Sequence, residues 1–457
     1  MPPRWDPLRA INAPSFGKKK DPANDDSEDD DDLELGSVEG FIYEVPKNIR
    51  QGNEKAYTPQ LISIGPLHYR KKILAKMAKY KLSYQKKFCE RTSTKTLEDF
   101  WRFVEHKEKA ILNCYEASSI IDDDIVVMIF YDALFIVELL LRNYEKENAQ
   151  ELGIKDFLLK GTWSAGLRRD LLLLENQIPF FVLEELYKLY CNFPREDKFD
   201  SCAAPASAFP FLYHACLYFD IPWDKRFEDA EILHFTGLLR CHLVKNCASN
   251  SDPSMAQKRK TESVYSATML HDAGVELKPV DDQSASWLDI KFEGKELKIP
   301  KLNVHSNTEA YIRNVMALEM CHYPGETYVC AYIELMNYLI RSDKDVDLLM
   351  EKGVLSKDGK NEGIIVSRIN PSKALASMIK KLMQGVGEPA ACYRETGSRL
   401  NKYYKNARKH VIATFCKENL AILKRVYFTN LWRGTGTVAA FMVVVLTLIQ
   451  TVLAFLK

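Results

Sequence analysis

Apolar residues return every three or four positions along most of the chain, which predicts a protein built mainly of helices. Residues 70–91 carry the pattern clearly. Ile73, Met77, Tyr80, Tyr84 and Phe88 form one stripe, and Lys71, Lys72, Lys76, Lys79, Lys86 and Lys87 supply the other face. Similar patterns cover 97–120, 168–190 (interrupted by Pro179), 231–244, 308–322, 329–340, 346–350, 371–383 and 396–428. Residues 124–144 are apolar almost all round, so that helix is expected to be buried.

Two stretches break the period. In 41–68, Pro46, Pro59 and Pro66 bar a long helix, and Leu61-Ile62-Ser63-Ile64 is a short extended run stopped by Gly65-Pro66. This segment is expected to lie extended against the main body. In 287–304, Leu288, Ile290, Phe292, Leu297 and Ile299 alternate around Glu293-Gly294-Lys295, a small β-hairpin. Residues 191–210 and 246–263 have no period and read as long loops.

The ends differ from the body. Residues 1–40 place Lys18, Lys19 and Lys20 before Asp25, Asp26, Glu28, Asp29, Asp30, Asp31, Asp32 and Glu34. So charged a block cannot bury a core, and a disordered acidic arm is expected. Residues 435–456 carry no charge and no proline, between Arg433 and Lys457. As a helix they would reach roughly 33 Å, about a bilayer's hydrocarbon thickness. A single C-terminal transmembrane helix is expected over 433–457, the plain alternative being a buried core helix. Lys417, Lys424, Arg425 and Arg433 precede it, and no apolar leader follows Met1, so the bulk is expected in the cytosol. Within the anchor (Thr435 to Leu456), Gly436, Ala440, Val443, Thr447, Gln450 and Thr451 share one face, through which a homo- or hetero-oligomer would form.

Composition narrows the function classes. A formal net charge of +1 argues against a general nucleic-acid binder. The 11 cysteines are scattered, with no Cys-x-x-Cys, which argues against a disulfide framework. No phosphate-binding glycine loop, dinucleotide fingerprint, His-Glu-x-x-His or Gly-x-Ser-x-Gly occurs. Cys241-His242 with Cys247, and Cys321-His322, lack zinc spacing. Asp122-Asp123-Asp124 reads as a helix-entry cap rather than a cation site with Asp132. Glu175-Asn176-Gln177, just before Pro179, could hold a catalytic carboxylate; the structural reading is that these side chains satisfy backbone groups near the break. The lysine face of 70–91 fits solvent, anionic lipid headgroups or the acidic arm.

Several stretches together resemble a plant family called domain of unknown function 247. They are IYEVPKNIRQGNEKAYTPQLISIGPLH (42–68), DLLLLENQIPFFVLEELY (170–187), ATMLHDAGVELK (267–278), LDIKFEGKELKIPKLNV (288–304), RNVMALE (313–319), DVDLLMEKGVL (345–355) and the tail YFTNLW…VLTLIQTV. The resemblance covers everything except the arm. It implies a plant protein, largely helical, with one membrane span and no assigned activity; some members at grass self-incompatibility loci are regarded as male determinants of self-pollen recognition. Ala133 stands where a glycine is usual after Asp132, and Leu431 where a proline is usual before Trp432.

The expectation is therefore mainly α: an arm (1–40), a large helical domain with a small hairpin (41–432) and an anchor (433–457). The expected function is membrane-anchored, non-catalytic recognition of an unknown protein partner, without cofactor, metal or nucleic acid, in pollen self-incompatibility signalling among other roles. The alternative is an enzyme centred on Glu175-Asn176-Gln177. Lys258, Arg259 and Lys260 in the 246–263 loop form a positive patch suited to steering an acidic partner.

Overall fold

A computed structural model describes residues 40–69, 71, 74–116, 125–148, 156–192, 205–245, 263–280, 286–357, 370–427 and 431–455. The acidic run, Asp122-Asp123-Asp124, Cys247, Lys258, Arg259, Lys260 and Leu456 lie outside the described residues.

The chain begins with the expected extended segment, which carries one short helix, α1 (Lys47–Arg50). Helices α2 (Ala75–Arg91), α3 (Thr94–His106), α4 (Glu108–Asn113) and α5 (Ile125–Asn148) follow. The expected 97–120 helix is thus two, because Lys107 leaves helical ψ between α3 and α4. Ser93 starts α3 by accepting the Thr96 amide. Helix α5 is the centre of the first core and is buried nearly all round, as its sequence predicts. Around it pack α2, α3, α7 (Phe180–Cys191) and α8 (Phe211–Tyr218); α6 (Gly161–Leu171) precedes the break before α7. Met77, Tyr84 and Phe88 of the α2 stripe are buried against this core.

Helix α9 (Phe235–Leu243) leads into a second core. It contains α10 (Ala267–Asp272), β1 (Glu276–Val280), β2 (Lys291–Glu293), β3 (Glu296–Pro300), β4 (Leu302–Val304), α11 (Thr308–His322), α12 (Tyr328–Leu339), α13 (Asp343–Glu351), β5 (Leu355–Lys357), α14 (Pro371–Leu382) and the start of α15 (Arg394–Tyr427). Strands β2 and β3 form the expected antiparallel hairpin around Gly294. Two pairings were not legible in the period: β1 joins β3 in parallel, and β4 joins β5 in parallel. A capping box of Ser342 and Asp345 opens α13, and Asn370 caps α14 with Pro371 in its first turn.

A third, small apolar cluster joins the two cores. Val45, Ile49, Ala56 and Tyr57 of the N-terminal segment meet Leu174 and the α11 residues Ala310, Ala317 and Leu318.

The C-terminal expectation is corrected. A final helix, α16 (Leu431–Phe455), does form, but among the described residues no helix is long and apolar enough to cross a membrane. Thr447, Gln450 and Thr451 break its apolar sequence with polar side chains. The single-pass anchor over 433–457 is therefore not supported, nor is the cytosolic orientation that depended on it. Thr435, Gly436, Ala440 and Gln450 are exposed on α16. Thr447 turns its hydroxyl inward, donating to the Val443 carbonyl 2.7 Å away.

Candidate functional site

The polar residues singled out in the sequence meet at the seam between the cores, where the N-terminal segment lies. Phe41 and Ile42 start it by donating their amides to the Cys114 carbonyl at 2.9 and 2.8 Å. Glu175 then accepts the Val45 amide at 2.7 Å, pairs with Arg50, and faces His68 Nε2 at 3.1 Å. Burial works to raise the Glu175 carboxyl, but the hydrogen bonds from His68 and Arg50 outweigh it and hold the pKa below the usual value.

Asp170 extends the same logic. One of its oxygens accepts three consecutive amides, Gln60 at 2.9 Å, Leu61 at 2.6 Å and Ile62 at 3.1 Å, while the other meets Arg169 at 2.7 Å. Asn176 accepts the Ile64 amide at 2.8 Å and donates to the carbonyls of Ile62 and Asp170. Gln177 donates to the Leu171 and Leu173 carbonyls at 2.6 and 2.7 Å, and accepts the Phe235 amide at 3.0 Å. Asp132, in the middle of α5, accepts the Gly65 amide at 2.8 Å and pairs with Lys81. Burial raises its carboxyl even so.

Helix α11 closes the seam from the other side. Asn314 accepts the Leu174 amide at 2.9 Å and donates to the Ala56 carbonyl at 2.9 Å. Arg313 is fully buried and donates to Glu309 at 2.8 Å. Glu319 accepts the amides of Val329 and Cys330, both at 3.0 Å, and so caps the start of α12 from a neighbouring helix.

This constellation is dense in carboxylates and amides, and its work is structural. Glu175, Asn176 and Gln177 are brought against the 57–68 segment, as the sequence suggests, but each is committed to backbone or to a paired cation. Asp170, Asp132, Lys81, Asn314 and Glu319 were not singled out for this role. The available signal was polarity in apolar surroundings: Asp132 stands within an otherwise apolar run, and Asp170 directly precedes four leucines. Cys321-His322 does not gather ligands; the His322 Nδ1 meets the Tyr43 hydroxyl at 2.8 Å.

The accessible feature is elsewhere. A cavity of about 310 Å³ opens beside α9, lined by Asp224, Phe227, Glu231, Ile232, Arg240 and Tyr323 among others. Arg240 lies over the Tyr323 ring at 3.7 Å and reaches Glu319 at 3.4 Å. Asp224 takes Arg226 and Lys245, each at 2.7 Å, and these contacts hold its carboxyl well below the usual range. Cys241 also lines the cavity, and burial raises its thiol. Described residues that border the two long stretches read as loops lie near it. Lys245, a lining residue, is followed directly by 246–262. At the other loop's end, Phe209 stacks on Tyr213 at 4.4 Å, Tyr213 meets Trp223 at 5.6 Å, and Trp223 meets Phe227 at 6.5 Å.

Residues 42–446 match the model of a plant family described as a plant protein of unknown function. The chain belongs to the domain of unknown function 247 family. It is similar to UPF0481 protein At3g47200 of Arabidopsis thaliana, 23% identical over 441 residues, 91% of this chain and 86% of that protein. It is also similar to putative UPF0481 protein At3g02645 of Arabidopsis thaliana, 23% identical over 503 residues, 91% of this chain and 90% of that protein. No solved structure matches at a significant level. The domain of unknown function 247 match includes the whole seam and the cavity.

Proposed function

We propose that this plant protein acts without catalysis, as a recognition body that holds a partner-binding surface on a rigid helical frame. One observation carries the reading: the residues that offered a catalytic centre, Glu175, Asn176 and Gln177, are spent on the backbone of the N-terminal segment. A general acid or base needs a proton-transfer partner within reach of substrate, whereas these groups are buried and bonded. Lys245, which lines the cavity, leads directly into residues 246–263, read from the sequence as a loop; this supports recognition, since loops vary without unpacking a core.

The finer role we propose is discrimination between self and non-self partners in pollen. Proximity labelling in pollen, with the tag at the N-terminus, identifies the partner. Exchanging residues 246–263 between two allelic forms is then expected to transfer partner preference while leaving the melting temperature nearly unchanged. Preference that follows Leu171 to Phe181 or the 57–68 segment instead would sink the reading.

A further inference from the structure

The groups around the cavity divide into satisfied and unsatisfied ones, and the division points to a ligand. The cations that line it are engaged. Arg226 and Lys245 sit on Asp224. Arg240 Nε faces Glu319, and its Nη2 donates to the Glu326 carbonyl at 2.9 Å. Among the described residues no acceptor meets Arg240 Nη1, and Nε makes no hydrogen bond. Yet Arg240 is only 8% exposed and lines the cavity. Its Nη1 is thus free to donate to an acceptor oxygen that enters the cavity.

The rim has the opposite character. Glu231 lines the cavity, and Glu228 and Asp229 stand beside it in the same exposed turn. None of the three makes an ion pair among the described residues. Glu326, 58% exposed, adds a fourth carboxylate next to Arg240. Among the described residues, three carboxylates without an ion pair outnumber the one such cation in this turn, exposed Lys225, so the opening is net negative. Between floor and rim the walls are apolar, from Phe227, Ile232, Val244 and the Tyr323 ring.

We infer that the cavity binds a short basic peptide segment of a protein partner. Its main-chain carbonyl accepts from Arg240. An apolar side chain fills the space between Phe227, Ile232 and Tyr323. A neighbouring lysine or arginine meets Glu228, Asp229 and Glu231. This arrangement deepens the recognition reading, on which it rests, by naming the place and the chemistry of the partner. An acidic segment would face the same carboxylates as a like charge and be rejected.

The test uses the full chain and labelled, acetylated tetrapeptide amides in a fluorescence anisotropy titration. In one set a leucine, phenylalanine or valine adjoins lysine or arginine; in the charge-reversed set it adjoins glutamate. The basic set is expected to bind saturably and the reversed set not to compete. Removing rim charge singly (Glu231→Gln, Asp229→Asn or Glu228→Gln) should weaken binding by roughly fivefold or less each, the size of an exposed ion pair. Gly237→Leu should abolish binding at an unchanged melting temperature. A Cβ at Gly237, a lining residue, meets only His234 at 3.8 and 3.9 Å, so the backbone accepts a side chain at the edge of the cavity. No saturable binding of any basic peptide, binding that survives Gly237→Leu, or equal competition by the reversed set would each overturn the inference. If peptides fail while the loop exchange still transfers preference, only the cavity assignment falls. If basic peptides bind as described while the exchange transfers nothing, the cavity assignment stands and the recognition reading falls.

Discussion

Asp170 holds Leu61 through a backbone amide hydrogen bond of 2.6 Å, across 109 positions of sequence, and the same oxygen takes the amides on either side. Three successive backbone donors depend on one carboxylate. Asp170→Ala is expected to lower unfolding free energy by roughly 3–5 kcal/mol, because each stranded donor loses its acceptor and Arg169 loses its counter-ion. Urea unfolding measures this; a loss under about 1 kcal/mol would mean that water or a shifted chain replaces the carboxylate.

Glu175 ties Val45, Arg50 and His68 to the seam. Its folded pKa lies below the ordinary glutamate value of 4.5, so its stabilising contribution is present above pH 4.5 and fades as pH falls through the folded pKa. Glu175→Gln should destabilise the protein at pH 7 by about 2–4 kcal/mol and flatten this acid-side loss. Equal acid sensitivity in variant and parent, by melting temperature against pH, would contradict the assignment.

His234 gives a second pH signature. It starts α9 by accepting the Gly237 amide at 3.1 Å, and burial depresses its pKa from 6.5 to about 3. The unfolded chain takes up a proton below pH 6.5 and the folded one does not until about 3. Stability from this group is therefore whole above 6.5 and falls as pH drops, by at most about 1.4 kcal/mol per pH unit. His234→Asn keeps a capping side chain and should remove that slope. Calorimetry from pH 7 to 4 shows whether it does.

Gly65 turns the chain with φ +68°, and a Cβ there would press on the Gln177 carbonyl oxygen. Gly65→Ala should cost about 2–4 kcal/mol, combining left-handed backbone strain with overlap. Hydrogen exchange should show faster opening of 60–68 before the rest of the body. Unchanged protection there would argue that the turn relaxes freely.

The sequence by itself determined the elements whose cause is local. Thr308–His322 forms as its period predicts, and the 287–304 alternation gives β2 and β3 about Gly294. Pro46, Pro59 and Pro66 kept 41–68 from forming a long helix, although α1 occupies one turn of it. Spacing along the chain is enough for these, since a helix or hairpin is decided by residues a few positions apart. Tertiary structure decided what depends on distant partners. The parallel pairing of β1 with β3 is one such outcome, and the apolar run of 435–456, which gave a helix without a supported membrane span, is another. The seam is the clearest. Nothing in the spacing says that Asp170 reaches Leu61, Asp132 reaches Gly65, or Asn314 reaches Leu174. Those contacts exist because an extended segment without helix or sheet partners must find acceptors for its buried amides, and only the packed helices could supply them.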